Sequence, residues 1–125
     1  MTNKTIYLCS RHFDDIQIGH GKDLVLIAGP CAIESREHSM RMAEMIGRVC
    51  DKVGVRWIFK ACYDKDCRSS PSSFHGLGLD DGLQILTDVR AAHGVPVTSD
   101  FSDPSWGPAT GEVCDMVQVP AYLCR

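Results

Sequence analysis

Lys60, Lys65 and Arg68 fall close together in the stretch KACYDKDCRSS, within a chain whose net charge is −3. With Arg56 they outnumber Asp64 and Asp66, and Ser69 and Ser70 add hydroxyl donors. Arginine offers a planar fork for two parallel hydrogen bonds and lysine a compact point charge, a combination that suits a phosphate or a carboxylate. A solvated surface loop would share this composition. Lys60 argues for a ligand, because it closes an apolar run where an ammonium group needs a partner.

Three further residues carry chemistry at similar places. Cys31 follows Gly29-Pro30 at the end of the apolar run DLVLIAGP. Its thiol can be a packed core group, a nucleophile or a metal ligand, and no CxxC pair accompanies it. Asp100 ends VPVTSD and can bind a hydroxyl, move a proton or shape a turn. Gln118 sits in the apolar run DMVQVP, where an unpaired amide is costly, so a ligand or a network partner is expected. His38 and His93 fall in predicted helices and His75 in a loop, and all three are read as structural or surface residues.

The elements that must position these groups follow from periodicity. Leu24 to Ala28 reads as a strand buried on both faces. Met42, Ile46, Val49 and Val53 recur at helical spacing, with Ser35 as N-cap and Gly54 just past the end. A second strand is expected over 55–63. A second helix follows through Leu79, Leu83, Leu86 and Val89, capped by Asp80 and closed by Gly94. VPVTSD is a third strand, Asp103-Pro104 opens a short helix or turn, and DMVQVP is a fourth strand. Residues 1–22 read as a peripheral segment with a possible hairpin, and residues 23–125 as the body of the chain. This order implies parallel strands joined by right-handed crossovers, either a small doubly wound sheet or the first part of a (β/α)8 barrel. In both, function gathers at the carboxyl ends of the strands, where Cys31, the lysine loop, Asp100 and Gln118 all lie.

At 125 residues and 44% hydrophobic content the chain can bury a core of its own. Its acidic balance argues against nucleic acid or an anionic membrane as a bulk partner. No run reaches the roughly 18 apolar residues of a membrane span, and the N-terminus lacks the apolar stretch of a signal peptide, so a cytoplasmic protein is expected. Seven scattered cysteines fit reduced thiols, with Cys50 and Cys114 as core residues. Trp57 and Trp106 are expected in the core or at an interface.

Taken together, AGPCAIES, FKACYDKDCRSS, SFHGLGL, TSDFSDP and VQVPAYLCR resemble the 3-deoxy-D-manno-octulosonate 8-phosphate synthases, over roughly residues 22 to 125. The sister 3-deoxy-heptulosonate 7-phosphate synthases share part of the pattern, but the DKxxRSS spacing at Asp64 to Ser70 favours the octulosonate family. The resemblance implies a (β/α)8 barrel, usually a homotetramer, that condenses phosphoenolpyruvate with arabinose 5-phosphate. Lys60 would then contact phosphoenolpyruvate, and Lys65, Arg68 and Ser69 would hold arabinose 5-phosphate. Asp100 and Gln118 would face the reacting sugar, with Lys60 and Asp100 as the catalytic pair, and Arg125 would reach a neighbouring subunit's site. Cysteine at position 31 marks the metal-dependent class, which implies a divalent metal bound through Cys31. The family usually has Asn where this chain has Cys67, and commonly His where it has Ser102.

A (β/α)8 barrel needs about 250 residues. The remaining family ligands would lie beyond Arg125, so this chain is expected to be one half of a barrel, inactive alone, as a fragment or as part of a larger assembly. The alternatives are the sister enzyme, with erythrose 4-phosphate as acceptor, and a non-catalytic α/β module that binds a phosphorylated metabolite.

Overall fold

Four short parallel strands follow from four apolar runs, and a computed structural model describes them within residues 4–13, 15–65, 70, 72–121 and 124. An antiparallel hairpin, β1 (Thr5–Leu8) and β2 (Ile16–Gly19), precedes them. The sheet then runs β3 (Val25–Ala28), β4 (Arg56–Lys60), β5 (Val97–Asp100) and β6 (Met116–Gln118), in sequential order and all parallel. Helix α1 (Arg36–Val53) links β3 to β4, and α2 (Leu79–His93) links β4 to β5. A 3-10 turn (Pro104–Trp106) and α3 (Gly107–Val113) lead into β6. No helix among the described residues is long and apolar enough to cross a membrane.

The strand order shows no reversal, and α1 and α2 pack on the same face of the sheet. Trp57, Phe59 and Val97 meet Ala43 and Cys50 of α1 and Leu83, Leu86 and Val89 of α2 in one core. A doubly wound sheet would reverse its order and place helices on both faces. The opposite face is covered at the amino ends of its strands by the hairpin, where Leu8 and Ile16 enclose Ile58 with Val25 and Met116 alongside. Toward the carboxyl ends this second face turns polar.

The helix boundaries agree closely with the sequence reading. Ser35 caps α1 by accepting from the His38 backbone N–H at 3.0 Å. Gly54 and Gly94 end α1 and α2 in the left-handed conformation, which glycine adopts without strain. Asp103 caps the 3-10 turn through the Ser105 N–H at 2.8 Å. Ser35→Ala is expected to cost about 1 kcal/mol, read as a lower denaturant midpoint with an unchanged slope.

Other expectations need correction. Gly78, not Asp80, occupies the N-cap position of α2 and offers no side-chain cap; Asp80 lies in the first turn, where its charge favours the positive end of the helix dipole. The second strand stops at Lys60 rather than continuing to residue 63. Val49 and Val53 do not face the core: they are 60% and 63% exposed, and Met45 joins them on the same flank. The face of α1 that meets the sheet is instead built from Ser39, Ala43 and Cys50, with Met42 and Ile46 at its margin. Cys50 and Cys114 are buried as expected, and burial pushes the Cys114 thiol up to about 12.

Candidate functional site

Strand parity and register put the expected residues on one face. Lys60 pairs with Thr98, Thr98 with Met116, and Asp100 with Gln118, and paired residues of a parallel sheet point the same way. Lys60, Thr98, Asp100 and Gln118 therefore share the face opposite the helices, at its carboxyl end. The hairpin's apolar plug lies below them. With the helices on the other side, this end of the face is built from polar groups.

Lys60 and Gln118 are joined across the sheet. The Lys60 ammonium donates to Gln118 Oε1 at 2.5 Å. Because β4 and β6 flank β5, this bond crosses above β5, with Thr98 and Asp100 as the same-face residues beneath it. The network partner expected for Gln118 is thus Lys60.

Asp100 and Lys65 form a second part of the site. Burial works against charge on Lys65, but contact with Cys62 and the charges of Asp100 and Cys31 raise it above the ordinary lysine range. Burial also raises the Cys62 thiol, with Asp100 adding to the effect. Cys62 and Asp100 thus lie on the side of the site from which Lys65 is influenced. The Lys65 backbone N–H is anchored to the His75 carbonyl at 2.6 Å. Its neighbour Asp64 turns elsewhere and accepts from the Ser102 hydroxyl. The loop is held further by Tyr63, whose hydroxyl lies 2.6 Å from Thr110 Oγ1 in the core.

Cys31 is exposed just beyond β3. Among the described residues no group of three or more His, Cys, Asp or Glu side chains is placed to hold a metal. Cys31 is one soft donor on this side of the sheet. Arg68, Ser69, Cys67 and Arg125 lie outside the described residues.

Two features were missed in the sequence. Thr98 reads as an interior letter of an apolar strand, yet it faces the site; its pairing with Lys60 is visible only in the register. Cys62 reads as the tail of the second strand without a role of its own, yet it lies just past β4, fully buried at the start of the lysine loop.

A family model described as the DAHP synthetase I family matches residues 2–125. The chain is also similar to 2-dehydro-3-deoxyphosphooctonate aldolases. It is 50% identical over 111 residues to that of Koribacter versatilis, covering 89% of this chain and 40% of the relative. Against the Synechococcus sp. protein it is 45% identical over 112 residues, covering 90% and 39%. Against that of Geotalea uraniireducens it is 49% identical over 111 residues, covering 89% and 41%. The chain spans about two fifths of the length of these curated relatives.

Proposed function

Because the chain belongs to the DAHP synthetase I family, we propose that it carries the first four strand units of a (β/α)8 barrel and half of an octulosonate phosphate synthase site. The reaction is the condensation of phosphoenolpyruvate with D-arabinose 5-phosphate, in the cytoplasmic supply of a lipopolysaccharide sugar. C3 of the enol attacks the sugar aldehyde, water adds at C2, and the C–O bond to phosphate breaks, giving 3-deoxy-D-manno-octulosonate 8-phosphate and inorganic phosphate. Both substrates are anions.

The observation that carries this reading is the set of Lys60, Asp100 and Gln118 on one sheet face, with the Lys60–Gln118 bond closing across it. The printed names of the relatives point to the same reaction, and the sequential strand order with helices on one face supports a barrel segment. In this scheme Lys60 leaves Gln118 to meet phosphoenolpyruvate, and the freed Gln118 amide turns to the sugar. Lys65 holds the sugar phosphate with Arg68 and Ser69, Asp100 faces the reacting end, and Arg125 reaches into an adjacent subunit of a tetramer. Cys31 would give a divalent metal a single thiolate, the other donors coming from outside this chain.

Calorimetric titration of the chain with phosphoenolpyruvate, arabinose 5-phosphate and erythrose 4-phosphate tests the reading. Arabinose 5-phosphate is expected to bind more tightly than erythrose 4-phosphate. Lys65→Met is expected to weaken arabinose 5-phosphate about ten- to a hundredfold, the scale of one lost charge-assisted hydrogen bond. The 125-residue chain alone is expected to release no phosphate from the substrate pair. Preference for erythrose 4-phosphate would move the assignment to the heptulosonate enzymes, and sugar-phosphate binding indifferent to Lys65 would sink it.

A further inference from the structure

Thr98 is 1% exposed, and its Oγ1 has no hydrogen-bond partner among the described residues. The Oδ1 of Asp100, two residues along the same strand and therefore on the same face, is also buried and without a partner among the described residues. Among the described residues, three other buried hydroxyls are bonded: Tyr63 with Thr110, and Ser99 to the Asp100 carbonyl at 3.1 Å. Ser39 is a further unpartnered hydroxyl, but it lies on a helix, where a serine rotamer can reach the carbonyl four residues back. Thr98 is on a strand and has no such carbonyl. A buried hydroxyl without a partner needs an occupant that supplies one.

The surroundings fix what that occupant is. Thr98 lies between Lys60 and Met116 in the register and beneath the Lys60–Gln118 bond that closes over β5. An anion that draws the Lys60 ammonium away from Gln118 removes this cover. The group then exposed is a hydroxyl beside a carboxylate oxygen, a donor–acceptor pair beside an acceptor, which matches an alcohol and not a second anion.

We propose that Thr98 is a ligand-binding residue, whose hydroxyl and the free Oδ1 of Asp100 together receive a hydroxyl group of a phosphorylated polyol once Lys60 has left Gln118. This rests on the sugar-phosphate reading above and adds to it a residue that reads the carbon chain rather than the phosphate. Lys60 acts as the latch, so anion binding and hydroxyl recognition are coupled at one place.

Titrating arabinose 5-phosphate and, separately, inorganic phosphate into the wild-type chain, Thr98→Val and Thr98→Ser tests the proposal. Valine matches threonine in shape and removes only the hydroxyl. Thr98→Val is expected to weaken arabinose 5-phosphate about tenfold, the effect of one lost hydrogen bond. Its affinity for inorganic phosphate stays unchanged, and its thermal midpoint is equal to or above wild type. Thr98→Ser regains most of the sugar-phosphate affinity. Unchanged arabinose 5-phosphate binding by Thr98→Val would overturn this proposal and leave the sugar-phosphate reading standing. A lowered midpoint with equal losses for both probes would also overturn it, because the hydroxyl would then serve the fold. A wild-type chain that bound neither probe would overturn both readings.

Discussion

Asp115→Ala is expected to cost about 3–5 kcal/mol of folding stability, the range for removing one partner of a buried ion pair. The Asp115 side chain is 1% exposed and that of Arg90 13%, so solvent screens their 3.6 Å contact little. The carboxylate also accepts from the Ser10 hydroxyl at 2.6 Å and the Val97 backbone N–H at 2.9 Å. One side chain thus ties the hairpin, β5 and α2 to the start of β6. Alanine removes the acceptor of all three donors; among the described residues Arg90 keeps its bond to the Val113 carbonyl and Ser10 its longer one to the Phe13 carbonyl. Against a total of roughly 5–15 kcal/mol for a domain of ordinary stability, such a loss puts the chain near its unfolding threshold at room temperature. Asp115→Asn keeps the shape and an acceptor for Val97 while removing the charge, so a smaller loss of about 1–3 kcal/mol is expected. Urea denaturation followed by circular dichroism measures both; an alanine variant within 1 kcal/mol of wild type would show that Arg90 finds another partner.

Asp115 was not legible as a structural hub, because in the sequence it is only the polar letter that opens DMVQVP. What periodicity could supply was the existence and order of the strands, and from these the rule that chemistry lies at their carboxyl ends. Lys60, Asp100 and Gln118 were placed at those ends that way. Their common face was not, since it depends on register: a shift of one residue in β6 would turn Gln118 to the helix side.

Helix α1 shows the opposite failure. The large apolar letters Met42, Ile46, Val49 and Val53 suggested the buried stripe, but α1 approaches the sheet closely where Gly47 meets the Trp57 ring. A Cβ built on Gly47 would lie 3.4 Å from the indole. Close approach favours small residues, so Ser39, Ala43 and Cys50 take the contact and the valines are displaced to the flank. Exposed apolar residues there, and in Leu26 and Ile27 of the edge strand β3 with Leu24 just before it, mark surface that the described residues leave open, so β3 is not buried on both faces as its apolar run suggested. A barrel segment would present such a flank to the units beside it.

Gly29→Ala is expected to disrupt both the sheet and the site, with a loss of about 3 kcal/mol or more. A Cβ at position 29 would stand 1.8 Å from the Lys60 carbonyl oxygen and 2.7 Å from its carbon. Both are backbone atoms, so no side-chain rotation relieves the overlap. The end of β3 must move away from β4, or Lys60 must move with its strand. In either case Lys60 shifts relative to Thr98 and Gln118, and the Lys60–Gln118 bond at 2.5 Å does not survive a displacement of more than about 1 Å. This gives the glycine of AGPC a physical reason: it lets the strand that carries Cys31 lie against the strand that carries Lys60. Gly111→Ala in α3 is the matched control, since a Cβ there meets nothing within 4 Å. In that helix interior, alanine is expected to stabilise by about 0.5–1 kcal/mol. Denaturation midpoints and phosphate-ester titrations of the two variants should therefore diverge, Gly29→Ala losing stability and affinity together while Gly111→Ala gains stability and binds as wild type. Wild-type affinity in a destabilised Gly29→Ala chain would show that the site does not depend on where Gly29 holds Lys60.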